Sequence, residues 1–186
     1  MRKLTFEEIT SRRISPEDIN SVERFPIYGF LDNIRSLYNV GSIFRTADGV
    51  RLNKLYLTGI TGYPPRSEIE KTALGAIEIV PWEYSDKPIT VIKNLKKEGV
   101  KIVVLEQTFQ SIPFQSVNYE YPTCLVVGNE VFGVHQDIID LADTAVEIPM
   151  YGCKQSLNVT IAFGIVIYEM LSQYLSQTLT SHGSGL

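Results

Sequence analysis

The sequence predicts an α/β domain built on a parallel sheet flanked by helices. Three observations carry that prediction. Short apolar runs, several rich in β-branched residues, recur along the chain as buried strands would. Segments with helical spacing of apolar residues separate them. The polar and glycine residues that stand out follow the runs, at the carboxyl ends where such sheets bind ligands. The 186 residues suit one domain of this kind.

The elements follow in chain order. Ser15-Pro16-Glu17-Asp18 has the form of a helix start: a capping serine, proline at the first helical position, acids in the first turn. Ile27 to Leu31 is strand-like. Val40, Ile43, Phe44, Ala47 and Val50 recur at helical spacing, which predicts a helix after Tyr38 with one buried face. Lys54 to Ile60 is a strand, Ile77 to Val80 a further short one, and Thr90 to Glu98 a helix stopped by Gly99. Val100 to Leu105, Cys124 to Val127 and Ala145 to Ile148 are strands, with a short helix over Asp137 to Leu141 between the last two. Ser156 to about Gln173 is a helix apolar nearly all round, so it is either wrapped by its own domain or buried against a second subunit; a homodimer is the expectation.

Composition excludes several classes. Hydrophobic residues make up 44% and charged residues 20%, as in soluble globular proteins. No uninterrupted apolar run reaches the roughly 18–20 residues of a membrane span, Val159 to Leu171 coming nearest, so no membrane partner is expected. The first eight residues lack an apolar core and carry Glu7 and Glu8, unlike a secretory signal. Cys124 and Cys153 stand in no metal-like spacing and read as a reduced pair. A cytoplasmic protein without a metal is expected. The net charge of −4 is unusual for a phosphate binder, but it is unevenly spread. Residues 1–101 hold 16 Lys and Arg against 13 Asp and Glu, whereas residues 102–186 hold 1 against 8. A basic face supplied by the first half is one reading and chance clustering on a solvated surface the other.

Three segments carry candidate chemistry. Gly128-Asn129-Glu130-Val131-Phe132-Gly133 follows a buried strand. Its glycines admit backbone to a ligand, or simply make a turn, and Glu130 is well placed to orient a polar group. It is no P-loop, because Val134-His135 stands where Lys and Ser or Thr are required, and G-x-G-x-x-G occurs nowhere in the chain. Asn39 to Arg45 enters a helix that Asn39 is able to cap, and Arg35, Arg45 and Arg51 lie near one another in sequence, where arginine forks suit phosphate. Ile148-Pro149-Met150-Tyr151-Gly152 leads to Ser156-Leu157-Asn158; Ser156 reads as a helix cap, while Asn158, just inside an apolar helix, needs a polar partner. No Ser/His/Asp, Cys/His or metal-binding arrangement is evident.

Taken together, Asn39-Val40-Gly41-Ser42-Ile43-Phe44-Arg45-Thr46-Ala47, Leu125-Val126-Val127-Gly128-Asn129-Glu130-Val131-Phe132-Gly133-Val134, and Ile148-Pro149-Met150-Tyr151-Gly152 with Ser156-Leu157-Asn158-Val159 resemble the three motifs of the SpoU (TrmH-type) RNA ribose methyltransferases of the SPOUT superfamily. Lys71-Thr72-Ala73-Leu74-Gly75-Ala76 is a familiar stretch between them, and the likeness spans roughly residues 27–172 in the right order.

The resemblance implies a C-terminal trefoil knot, bound S-adenosylmethionine and an obligate dimer that completes the site. It implies that Glu106, Gly128, Ile148, Met150 and Leu157 hold the cofactor and that Asn39, Arg45, Glu130, Ser156 and Asn158 serve chemistry and substrate orientation. The implied reaction is displacement at the sulfonium methyl by a ribose 2′-hydroxyl, with neither metal nor covalent intermediate. In the family the Arg45 equivalent is given the role of general base. A guanidinium ordinarily keeps its proton, which leaves phosphate binding and alkoxide stabilisation as its alternative work.

The domain division expected is an extension over residues 1–25, a knotted methyltransferase domain over 26–176 and a flexible tail over 177–186. So short an extension favours tRNA over rRNA as substrate, with Arg12, Arg13, Arg24 and Arg35 as candidate contacts. A catalytically inactive RNA-binding protein of the same fold and a small-molecule α/β enzyme are the competing readings.

Overall fold

The β-branched runs pair side by side because each lacks a polar face to leave in water. In the computed structural model, which describes residues 1–182 (side chains through Thr180), they form one sheet of seven strands. The strands are β1 Ile27–Asp32, β2 Lys54–Thr58, β3 Trp82–Ser85, β4 Lys101–Leu105, β5 Ile112–Pro113, β6 Thr123–Val127 and β7 Thr144–Glu147. All neighbours are parallel, in the order β3-β2-β1-β6-β4-β7-β5. β6 is the most protected, buried at all five residues between β1 and β4.

Helices cover both faces. α2 (Leu37–Gly49), α3 (Ser67–Ala73) and α7 (Val159–His182) close one core, with Ile43, Phe44, Ile69, Phe163 and Met170 at or near zero exposure. α5 (Pro88–Lys97) and α6 (Gln136–Ile139) close the other through Ile92, Leu95 and Ile138. The short α1 (Phe6–Thr10) stands on a capping box in which Thr5 and Glu8 bond reciprocally. α2 and α3 approach closely at Gly41, where a Cβ would lie 2.2 Å from both the Ile69 carbonyl oxygen and Thr72 Oγ1. Leu74 and Gly75, both at positive φ, then turn the chain into the single turn α4 (Ala76–Ile79).

Several expectations change here. Residues 77–80 are no strand: Val80 N–H bonds the Ala76 carbonyl and the segment closes as a helical turn, the strand arriving later as β3. Ser15 accepts the Asp18 N–H, as a cap would, but only a short 3₁₀ turn over Ile19–Ser21 follows. α2 begins earlier than the Asn39 cap implied, because Ser36 Oγ accepts the Asn39 N–H instead. At α7 the cap is Asn158 rather than Ser156: its Oδ1 accepts the Thr160 N–H at 2.8 Å.

α7 also runs past Gln173 to His182, so the sequence tail is helical up to that point; residues 183–186 lie outside the described residues. Phe163, Val166, Ile167 and Met170 turn inward, and Gln173 ties the helix to the Val117 carbonyl and the Tyr119 N–H. Val159–Thr180 is long and apolar enough to cross a membrane, yet its inner stripe packs on the sheet. The outer stripe of Ile161, Ile165, Tyr168, Leu175 and Leu179 is exposed in the single chain.

Candidate active site

The carboxyl end of β1 is the first part of the site. Asp32, 1% exposed, accepts the His135 N–H on Oδ2 at 2.8 Å and the Asn33 side-chain amide on Oδ1 at 2.7 Å. Burial pushes its carboxyl above the ordinary range, and those hydrogen bonds offset part of the rise. The Asn33 carbonyl in turn accepts Asn129 Nδ2 at 2.8 Å. The end of β1 is thereby fastened to the loop that follows β6.

That loop is a closed ring. Asn129 and Gly133 exchange backbone hydrogen bonds at 3.0 and 2.9 Å, while Asn129 Oδ1 receives the N–H groups of Val131 and Phe132. Gly128 has no room for a side chain, since a Cβ would lie 2.2 Å from Gly133 C and Val134 N. Gly133 sits at φ +71° with Glu106 beside it, and Glu106 spans the gap by accepting the N–H groups of Val134 and Gln107 at 2.9 Å each. The ends of β4 and β6 are thus joined by one carboxylate.

Glu130 points the other way, to the start of α2. Its Oε2 accepts the Arg35 N–H at 2.9 Å; its Oε1 accepts the Ser36 N–H at 3.0 Å and the Asn39 amide at 2.8 Å. A helix N-terminus offers unpaired N–H groups and a favourable dipole to such an anion. Partial burial raises the carboxyl, but the Arg35 N–H, the Asn39 amide and the Ser36 N–H together hold it below the ordinary carboxylate value. Asn39 Oδ1 faces Asn158 Nδ2 at 3.4 Å, so Glu130, Asn39 and Asn158 form one polar chain drawn from three segments.

Beside this chain a cleft of about 440 Å³ opens between the carboxyl ends of β4, β6 and β7. All five residues expected to hold a cofactor, Glu106, Gly128, Ile148, Met150 and Leu157, line it, together with Glu130, Ser156 and Asn158. Gln107 Nε2 donates to the Gln155 carbonyl at 2.6 Å and pins the loop 149–158, exposed from Tyr151 onward, over one side. The lining contains three carboxylates, Glu106, Glu130 and Glu147, and no Lys, Arg or His. It therefore suits a cationic or neutral ligand and disfavours a phosphate.

Asn39 borders the cleft through Glu130 and Asn158, but Arg45 is not brought in: it lies exposed on α2 without a hydrogen bond or ion pair among the described residues. The arginines also divide. Arg24 donates to the carbonyls of Leu52 and Ile79, and the Arg51 guanidinium lies 4.1 Å from the Phe25 ring centroid, so both brace the fold. Arg12, Arg13 and Arg35 keep exposed side chains. Sequence reasoning missed Asp32, Asn33 and Asn129. Each is a polar residue at the end of an apolar run, and that position was the available signal.

A parallel α/β sheet with a carboxylate-lined cleft beyond its strand ends defines a ligand-binding protein of the α/β class. More particularly, the chain belongs to the SpoU rRNA Methylase family, whose model matches residues 26–168. It is similar to the tRNA (guanosine(18)-2'-O)-methyltransferase of Aquifex aeolicus (strain VF5), with 38% identity over 144 residues covering 77% of this chain and 68% of that protein. The enzyme of the same name from Escherichia coli (strain K12) is 30% identical over 146 residues, 77% of this chain and 62% of that protein. Among solved structures, the A. aeolicus TrmH/SpoU tRNA modifying enzyme superimposes with a TM-score of 0.80 at 34% identity, covering 89% of this chain and 85% of that one. An AdoMet-bound rRNA methyltransferase from Sinorhizobium meliloti gives 0.74 at 26% identity, covering 88% and 62%.

Proposed function

We propose that this chain is an S-adenosylmethionine-dependent methyltransferase acting on an RNA ribose 2′-hydroxyl, with tRNA favoured over rRNA. The observation that carries the proposal is the cleft with three carboxylates and no cationic side chain, set against the Glu130–Asn39–Asn158 chain. S-Adenosylmethionine carries a sulfonium and an ammonium against one carboxylate, a net positive charge, beside a flat aromatic adenine, and a site of this sign with apolar walls at Ile148, Met150 and Leu157 fits those features. That the A. aeolicus and E. coli relatives are tRNA (guanosine(18)-2'-O)-methyltransferases supports tRNA as the substrate class.

When bound, the cofactor supplies an activated methyl group. What remains for the protein is alignment of the hydroxyl and care of its proton. Glu130 is a positioning group in this reading: its two oxygens already accept three N–H donors and it holds its charge, which makes it a poor proton acceptor. It fixes the Asn39 amide so that Nδ2 faces Glu130 and Oδ1 faces Asn158. The free lone pair of Oδ1 is the acceptor we assign to the ribose hydroxyl: it orients the oxygen towards the methyl group, and the proton released as the new O–C bond forms and the S–C bond breaks passes to solvent water. Ser156, exposed at the cleft, is assigned to the sugar on the same side.

Arg45 stands apart from this cluster, and the outer stripe of α7 is apolar and uncovered. Both features support a homodimer in which Arg45 of one protomer serves the cleft of the other, binding the neighbouring phosphate or the developing alkoxide. The proposal includes the trefoil knot of the C-terminal part, a metal-free reaction and a cytoplasmic setting, with residues 26–176 as the catalytic domain. Incubation with methyl-labelled S-adenosylmethionine and total RNA tests it, with transferred label mapped to individual riboses. RNA binding without transfer would leave only the inactive RNA-binding reading.

A further inference from the structure

The ring formed by residues 129–133 does two things at once. It turns Glu130 towards α2, and it holds the next two side chains out into solvent, Val131 at 63% and Phe132 at 86% exposure. Phe132 cannot fold back without cost, because its N–H and that of Val131 are fixed to Asn129 Oδ1, and Asn129 is itself tied to Gly133 and Asn33. An aromatic ring is thus presented on a rigid mount at the rim of the cleft, two residues from the carboxylate that fixes Asn39. Two residues back along the loop, Glu130 accepts the N–H of Arg35, whose side chain stays exposed.

Resting on the methyltransferase reading, we propose that Phe132 is a substrate-positioning residue: its ring stacks on an unpaired base of the RNA, at or next to the nucleotide whose ribose enters the site. A nucleotide must leave its helix to bring its sugar into a cleft at strand ends, and the base it unstacks needs a new face to rest on. Phenylalanine offers that face without reading sequence. The cleft's own lining holds no cation for RNA phosphate, so the contact that retains the base there is left to an apolar or aromatic side chain, with cations such as Arg35, and the partner's Arg45 in the proposed dimer, meeting phosphates from outside. The occupant is therefore an RNA base rather than an apolar protein segment.

The test compares wild type with Phe132→Ala, Phe132→Leu and Phe132→Trp, using total RNA from cells lacking this protein and labelled S-adenosylmethionine. The expected result is an apparent KM for RNA raised roughly 5- to 150-fold in Phe132→Ala and Phe132→Leu, the range for loss of one stacked base. Phe132→Trp restores it, while S-adenosylhomocysteine affinity and the molecular mass in solution stay at wild-type values. Phe132→Leu matching wild type would overturn the inference in favour of plain apolar contact. Loss of S-adenosylhomocysteine binding would overturn it in favour of a cofactor contact, and a change of oligomeric state in favour of a subunit contact. Wild type that transfers no methyl group to any RNA would instead bring down the methyltransferase reading and this inference with it.

Discussion

The carboxylate of Glu130 accepts the side-chain amide of Asn39 at 2.8 Å, across 91 positions of sequence. This hydrogen bond joins the loop after β6 to the first turn of α2, and it sets which way the Asn39 amide faces. Substitutions at Asn39 should therefore rank by charge rather than by size. Asn39→Ala loses the amide and should lower methyl transfer on the order of 10²-fold, as removal of one oriented polar group does. Asn39→Asp places a carboxylate against Glu130 and should be worse than Ala in both rate and thermal midpoint. Equal midpoints for the two variants would refute that ranking.

Glu130 also makes stability depend on acid. Its carboxyl is held below the ordinary value in the fold, so the unfolded chain takes up the proton first as pH falls. The stabilisation is present above the ordinary carboxylate range, about pH 4.3, and is lost as pH drops through the depressed folded value. Denaturant melts of wild type and Glu130→Gln should differ by a constant amount above about pH 5.5 and converge in acid. A gap that widened below pH 4 would have the wrong sign.

Two glycines separate space from flexibility. Gly41→Ala drives a Cβ into the Ile69 carbonyl and Thr72 Oγ1, and should cost about 1–3 kcal/mol of unfolding free energy as overpacking does. Gly152 has nothing within 4 Å of a built Cβ and lies on the exposed loop, so Gly152→Ala should leave stability unchanged. Urea titrations of the pair decide this.

Gly128→Ala should act on the cleft. Its Cβ would strike Gly133 and Val134, moving the ring that carries Glu130. Calorimetry with S-adenosylhomocysteine should show binding weakened roughly 5- to 150-fold, the equivalent of about 1–3 kcal/mol. Unaltered affinity would mean that the ring does not shape the ligand site.

Arg45 offers a test of shared sites. Co-expressed Arg45→Ala and Glu130→Ala chains should regain activity that neither variant has alone, because a mixed dimer retains one cleft with its own Glu130 and its partner's arginine. If Arg45 served its own cleft, mixing would restore nothing. Arg45→Lys adds the chemical question: turnover close to wild type would remove any special part for the guanidinium.

Much of the fold was legible because it was written in local pattern. β1, β4, β6 and β7 were visible as apolar runs, and α2 and α5 as helical periods. Residues 77–80 misled because an alternating run of four fits one helical turn as well as a strand. The caps at Ser36 and Asn158 were misplaced because Ser and Asn cap equally well, and three residues separate two such candidates at α2 and two at α7. The three candidate segments were recognisable, and most of their polar residues meet around one cleft. What held them together was not readable. The bonds from Asp32 to His135, Asn33 to Asn129 and Glu130 to Arg35 cross about 95 to 103 positions, and no local signal encodes such pairs.

The strand order has a consequence for how the molecule comes into being. β1 borders β2 on one side and β6 on the other, and β6 alone joins the β1–β2–β3 half to β4 and β7. During synthesis the first half must wait, with one edge of β1 bare, until residues 123–127 emerge. The Glu130 anchor lies just beyond that strand, and the rest of the cleft follows with β7 and the loop before α7. A ribosome-bound chain stopped before Thr123 would have the first two-thirds of its sequence but, of the cleft lining, only Leu105, Glu106 and Gln107, so that binding competence arises late.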